Sequence, residues 1–139
     1  MNIQNLNLTG AETSVLLRVS STQQVQRGYT AVQAGNPPSG IISEYAYNYA
    51  AQNAIFGWTG RMPGAWGRQI SAHTQLNVVQ RTGRTAYPLW NLGLARNTGR
   101  VRPYVRLLNL SNTGYQEITG VPLQGRTVMG GMEWSWNER

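Results

Sequence analysis

The sequence holds little material for acid–base chemistry. It has one histidine, His73, and five carboxylates, all Glu: Glu12, Glu44, Glu117, Glu133 and Glu138. His73 stands between Ala72 and Thr74 in a segment with strand alternation, which suits a polar strand residue making a hydrogen bond. A Ser–His–acid triad would have to recruit a Glu from elsewhere, and the sequence has no Gly-x-Ser-x-Gly elbow. Two carboxylates could share acid–base work as Glu133 with Glu138 or Glu44 with Glu117, but no spacing brings either pair together. Cysteine does not occur, so disulfides and thiolate metal sites are excluded. No cluster of His and Glu has metal-ligand spacing, and no glycine-rich phosphate cradle opens a helix. These observations predict a protein that is not an enzyme, with no catalytic residues, no cofactor and no metal.

Arginine and aromatic residues are the other chemical resource. All twelve basic residues are Arg, and neither Lys nor Asp occurs. Arg81 and Arg84 flank one turn, and Arg96, Arg100, Arg102 and Arg106 lie along a second hairpin. Read with the two-residue period of a strand, the stretch Arg96–Leu110 puts Arg100, Arg102, Tyr104, Arg106, Leu108 and Leu110 on one face. Val101, Pro103, Val105, Leu107 and Asn109 fall on the other, which is the core side. The first face begins basic and ends apolar, as expected of a strand that leaves water halfway along. Its arginines suit bidentate pairing with carboxylate or phosphate. With Tyr104 and Tyr87 nearby they also permit nucleic-acid binding, by phosphate contact and base stacking, although no known RNA- or DNA-binding signature is present. A further set of aromatics, Trp58, Trp66, Tyr87 and Trp90, lies in or beside predicted loops. Such rings could stack on a sugar, as in a lectin-like carbohydrate-binding domain, or close the ends of a β-core.

The elements that must position these side chains are mostly strands. Residues 1–12 read as an N-terminal arm with Ile3, Leu6 and Leu8 available for docking on a neighbour. Residues 13–139 read as a single β domain. Thr13–Val19 and Gln23–Gln33 form two strands joined by a short bend. The run Gly35–Gly40 is a break. The segment 41–56 has both a strand-like alternation (Tyr45, Tyr47, Tyr49) and a helical spacing (Ile41, Tyr45, Tyr49, Asn53), and its alanines favour helix. Gly57–Gly67 reads as a glycine-rich loop. Further strands follow at Gln69–Gln80, at Thr85–Leu94, where Pro88 implies an edge or a bulge, at Tyr115–Ile118 and at Arg126–Trp136. Short strands between Gly, Asn and Pro turns predict an all-β sandwich or barrel, jelly-roll-like, with at most one helix near 41–56.

Composition completes the reading. The chain has 139 residues, a net charge of +7 and only 12% charged residues, against about 25% in an ordinary globular domain. A surface of neutral amides, small residues and Arg keeps molecules apart poorly and makes contacts well. No run approaches a membrane span, and the N-terminus lacks the basic and apolar regions of a signal peptide. The expected function is therefore that of a non-enzymatic structural protein. In its most concrete form it is a virion subunit (capsid, decoration or tail) that self-associates or binds a larger protein lattice. Its partners are then other protein, first its own copies in a homo-oligomer, with nucleic acid possible and no membrane. Its place is the virion, or otherwise the cytoplasm.

Overall fold

A computed structural model describes residues 7–35, 49–62, 69–118 and 120–136. Nine strands account for nearly all of the secondary structure: β1 (Leu8–Ser20), β2 (Gln23–Ala34), β3 (Ala50–Arg61), β4 (Ile70–Arg81), β5 (Tyr87–Arg96), β6 (Val101–Leu108), β7 (Gln116–Ile118), β8 (Val121–Pro122) and β9 (Thr127–Trp134). Seven form one antiparallel sheet in the order β1-β2-β3-β4-β5-β6-β9, and β7 and β8 make a small separate hairpin. The all-β expectation holds. The connectivity is an up-and-down meander in place of the Greek-key crossing of a jelly roll. The first six strands each pair with their sequence neighbours, which the short turns at Ser21-Thr22 and Gly99 (φ 91°) enforce for β1–β2 and β5–β6, and β9 returns after the β7–β8 hairpin to pair with β6. Among the described residues the sheet has two free edges, β1 and β9, as one layer of a sandwich would.

The registers pass unbroken through the middle of the sheet. One row across all seven strands is Leu17, Val25, Trp58, Thr74, Leu92, Leu107 and Val128. One residue along each strand, on the opposite face, runs Arg18, Gln24, Thr59, His73, Gly93, Arg106 and Met129. Because side chains alternate along each strand, the sheet has one mostly apolar face, interrupted by Gln23, Arg27, Thr74 and Arg96, and one mostly polar face, interrupted by Leu16, Ile55, Val79 and Leu89. Ala72 is the only hydrophobic residue buried among the described residues.

Several sequence expectations are corrected. No helix forms over 50–56. Those residues belong to β3, where Ala54 pairs with Tyr29 and Val78, and Phe56 with Arg27 and Leu76. Alanine's helical propensity, a few tenths of a kcal/mol per residue, is outweighed by pairing on both sides. Residues 41–48 lie outside the described residues. The predicted loop at Gly57 begins only after Arg61, since Gly57–Arg61 completes β3. Residues 8–12 belong to a strand and not to an arm, since Leu8 already opens β1 opposite Ala34, while Ile3 and Leu6 lie outside the described residues. Strand β6 starts at Val101, leaving Arg100 in the preceding turn, and ends at Leu108, so Leu110 lies beyond it.

Pro88 sits inside β5 opposite Val78. Its carbonyl accepts hydrogen bonds from the Ser111 and Thr113 hydroxyls at 2.9 and 2.7 Å. In an antiparallel strand the nitrogen of a residue faces the same side as its carbonyl, so the missing N–H faces a stretch where β6 has already ended. The proline is therefore at a local edge, as its chemistry requires.

Asn109 terminates β6 and is the one buried polar residue described, 5% exposed. Its φ of 50° breaks the alternation. Its side-chain nitrogen donates to the Thr113 and Gln124 carbonyls at 2.9 and 3.2 Å, and its side-chain oxygen accepts from the Thr113 amide at 3.0 Å. Its own backbone N–H donates to the Asn91 side chain at 3.0 Å. One residue thus ties β5, β6 and the return to β9 together, satisfying backbone groups that no ladder reaches.

Candidate functional site

The apolar face is built from the inward alternation of every strand. Val15, Arg27, Phe56, Leu76 and Trp90 form the row beside the one led by Leu17. Arg27 and, at the end of β5, Arg96 are the charged residues described on this face, and the Arg27 guanidinium lies 5.8 Å from the centre of the Phe56 ring. Trp58 lies over Gly60, where a side chain would overlap the indole. Trp90 donates its indole N–H to the Thr74 hydroxyl at 2.6 Å, so its one polar atom is satisfied within the face. A shallow depression of about 380 Å³ runs over Ile70, Leu94, Pro103 and Val105. Toward the β9 edge Val128, Met132 and Trp134 are 67, 71 and 57% exposed. These side chains gain nothing from folding unless another surface meets them.

The polar face is carried by the other parity. Beside the row led by Arg18 runs a second, Arg61, Ser71, Ala95, Tyr104 and Gly131. Two glycines here carry rings. A side chain at Gly93 would overlap the His73 imidazole, and one at Gly131 would come within 2.6 Å of the Tyr104 ring. Each ring therefore lies against bare backbone on the neighbouring strand. The Arg106 guanidinium is 5.3 Å from the centre of the Tyr104 ring, within cation–π range. Arg102 donates to Glu133 across the β6–β9 pair at 2.7 Å, and its buried Nε has no partner among the described residues.

A third feature lies at the far end of the sheet. Tyr87 and Tyr115 stack with ring centres 5.5 Å apart. They line a cleft of about 370 Å³ with Arg84, Gln116 and Leu123. Burial pushes the Tyr115 hydroxyl above its ordinary pKa of 10.0; Glu117 and then Tyr87 push the same way, while Arg81 pulls back. Arg81 is also the donor to the Tyr87 hydroxyl at 3.2 Å and lies 3.8 Å from the Glu117 carboxylate.

The residues singled out in the sequence are thus divided. Arg102, Tyr104, Arg106 and Leu108 share the polar face, as their spacing predicts, and Val101, Pro103, Val105 and Leu107 share the apolar one. Arg100 and Leu110 leave that set, since neither belongs to the strand. Of the four aromatics weighed for sugar binding, Trp58 and Trp90 are strand residues that flank Thr74 on the apolar face, Tyr87 belongs to the cleft, and Trp66 lies outside the described residues. Among the described residues no three His or Glu side chains converge as a metal would require, and no helix is long and apolar enough to cross a membrane.

Sequence reading alone missed Arg18, Arg61, His73 and the two ring-bearing glycines as neighbours of Arg106 and Tyr104. The available signal was parity: each has the alternation that puts it on the polar side of its own strand. No protein-family model, curated protein or solved structure matches the chain.

Proposed function

We propose that this chain is a structural subunit whose apolar sheet face is covered by other protein, first of all by further copies of itself. In its most concrete form it is a virion component, a capsid, decoration or tail protein. One observation carries the proposal: a seven-stranded sheet with a mostly apolar face and a single buried hydrophobic residue among those described.

The exposed side chains support it: Val15, Leu17, Phe56, Leu76, Trp90 and Met132 all lie on that face and are between 37 and 71% exposed. The two edges point the same way. Strand β1 is exposed along all thirteen residues, and neither β1 nor β9 carries a Lys or Pro, the residues that commonly blunt an edge against pairing. The low charge and the absence of Lys add support, because such a surface does little to resist association. The small, cysteine-free, Arg-basic composition suits a particle subunit that lies near packaged genome or on an acidic shell.

The test is light scattering of the purified protein at 0.1 and 1 M salt, followed by electron microscopy. Oligomers that persist at high salt are expected, since apolar burial is not screened. A stable monomer at both concentrations overturns the proposal. Shells, tubes or decorated lattices are expected in the images, and a small closed oligomer alone would remove the virion reading while leaving self-association.

A further inference from the structure

We infer that the arginine-rich end of the polar face binds single-stranded nucleic acid, with phosphates on the Arg side chains and unpaired bases on His73 and Tyr104. The inference is independent of the apolar face, which lies on the other side of the sheet.

Charge is sorted along the strands. The rows led by Arg18 and Arg61 bring Arg18, Arg61 and Arg106 to one end and contain no carboxylate. Among the described residues Glu133 is the nearest acid on this face, and it is taken by Arg102. Glu12 stands in the row of Thr30, Asn53, Val79 and Tyr87, three rows or about 20 Å along the strands from His73. From Arg18 on β1 to Arg106 on β6 is five strand spacings, about 24 Å, so the cations form a track and not a point.

The rings lie on that track. His73 and Tyr104 are both exposed, and each is laid against a glycine of the next strand. The His73 ring, held flat on the sheet, offers its outer side for stacking, while the Tyr104 ring has the Arg106 guanidinium over it, a plane on which a base also stacks; only an unpaired base can take either place. Beside His73 is a dip of about 100 Å³, lined by Gly57, Gln24, Gln26, Thr59 and Gln75, with Leu16 as its apolar side. Amides and a hydroxyl around a stacking ring suit the hydrogen-bonding edge of a base. A duplex hides the faces of its bases, and an acidic peptide has no use for the rings.

The test is fluorescence anisotropy with the full chain and four labelled probes: a twelve-nucleotide single-stranded RNA, the same sequence as DNA, its duplex, and a twelve-residue polyglutamate. Either single strand should bind at least about tenfold tighter than the duplex or polyglutamate. With three phosphates neutralised, affinity should fall about 20-fold between 50 and 200 mM salt. His73→Ala and Tyr104→Ala should each weaken single-strand binding about tenfold, without changing oligomeric state. Gly93→Val should do the same by lifting the imidazole while leaving it in the chain. Arg106→Gln should reduce the salt slope by about 0.7. No binding at 50 mM salt, equal binding of duplex or polyglutamate, or parental affinity in both ring variants each overturns the inference. RNA bound better than DNA would assign a contact to the 2′-hydroxyl.

Discussion

Gln75 and Leu76 are adjacent in β4, yet they belong to surfaces with opposite physical demands. Gln75 shares its row with Gln26, Gly57, Asn91 and, on β1, Leu16, and Leu76 with Val15, Arg27, Phe56 and Trp90. Water satisfies the amides of the first row well. It solvates the second at a cost that only another apolar surface relieves. The two faces show that a sheet can be completely hydrogen-bonded through its interior and still be an incomplete fold. Backbone pairing sets the architecture, while stabilisation by apolar burial is left to whatever lies against one side.

The comparison is tested most severely by placing the same charge on either side. Leu76→Asp should weaken self-association about 100-fold or more, since an unpaired carboxylate at an apolar interface costs several kcal/mol. Gln75→Asp should leave association within about threefold, and equilibrium sedimentation reads both. Equal effects would mean that the faces do not differ in use. The next largest effect is expected where the two-faced pattern stops. Asn109→Ala removes a side chain that bonds two carbonyls and an amide and should cost about 3 kcal/mol. Urea unfolding at one fixed protein concentration reads this loss.

The smallest effect concerns the cleft. Because Tyr115 is held protonated above its ordinary 10.0, the unfolded chain releases that proton first as pH rises. The stability due to the neutral phenol is therefore complete below about pH 10 and lost above it. Thermal melts at pH 9 and 11 should show a smaller alkaline loss in Tyr115→Phe than in the parent, and identical losses would remove Tyr115 as the cause.

Much of the fold is legible in the sequence. Val101, Pro103, Val105 and Leu107 announce an apolar side by period alone, and the strands at Gln23, Gln69 and Arg126 are found within a few residues of their ends. What escapes is what depends on partners far away in the chain. The alanines near residue 50 satisfy a helix locally, and only β2 and β4 together decide against it. Trp58 and Trp90 look like loop aromatics beside Gly and Pro, but their place follows from the register of three strands. The polar site is less legible still. His73 is an ordinary strand residue until Gly93 is known to lie beneath it, and Arg18 and Arg106 are 88 positions apart in the chain. Asn109 reads as one more member of an alternating strand, because nothing local marks its positive φ.

The odd number of strands has its own consequence. With every neighbour antiparallel, β1 and β9 run in the same direction. Copies related by simple translation would meet at a parallel seam. A seam that keeps the alternation and also keeps the apolar faces on one side must instead join like edge to like edge, about a two-fold axis perpendicular to the sheet. That operation returns both apolar faces to the same side, so a pair joined in this way is a wider sheet with one greasy side, and completing it calls for a layer and not a third edge.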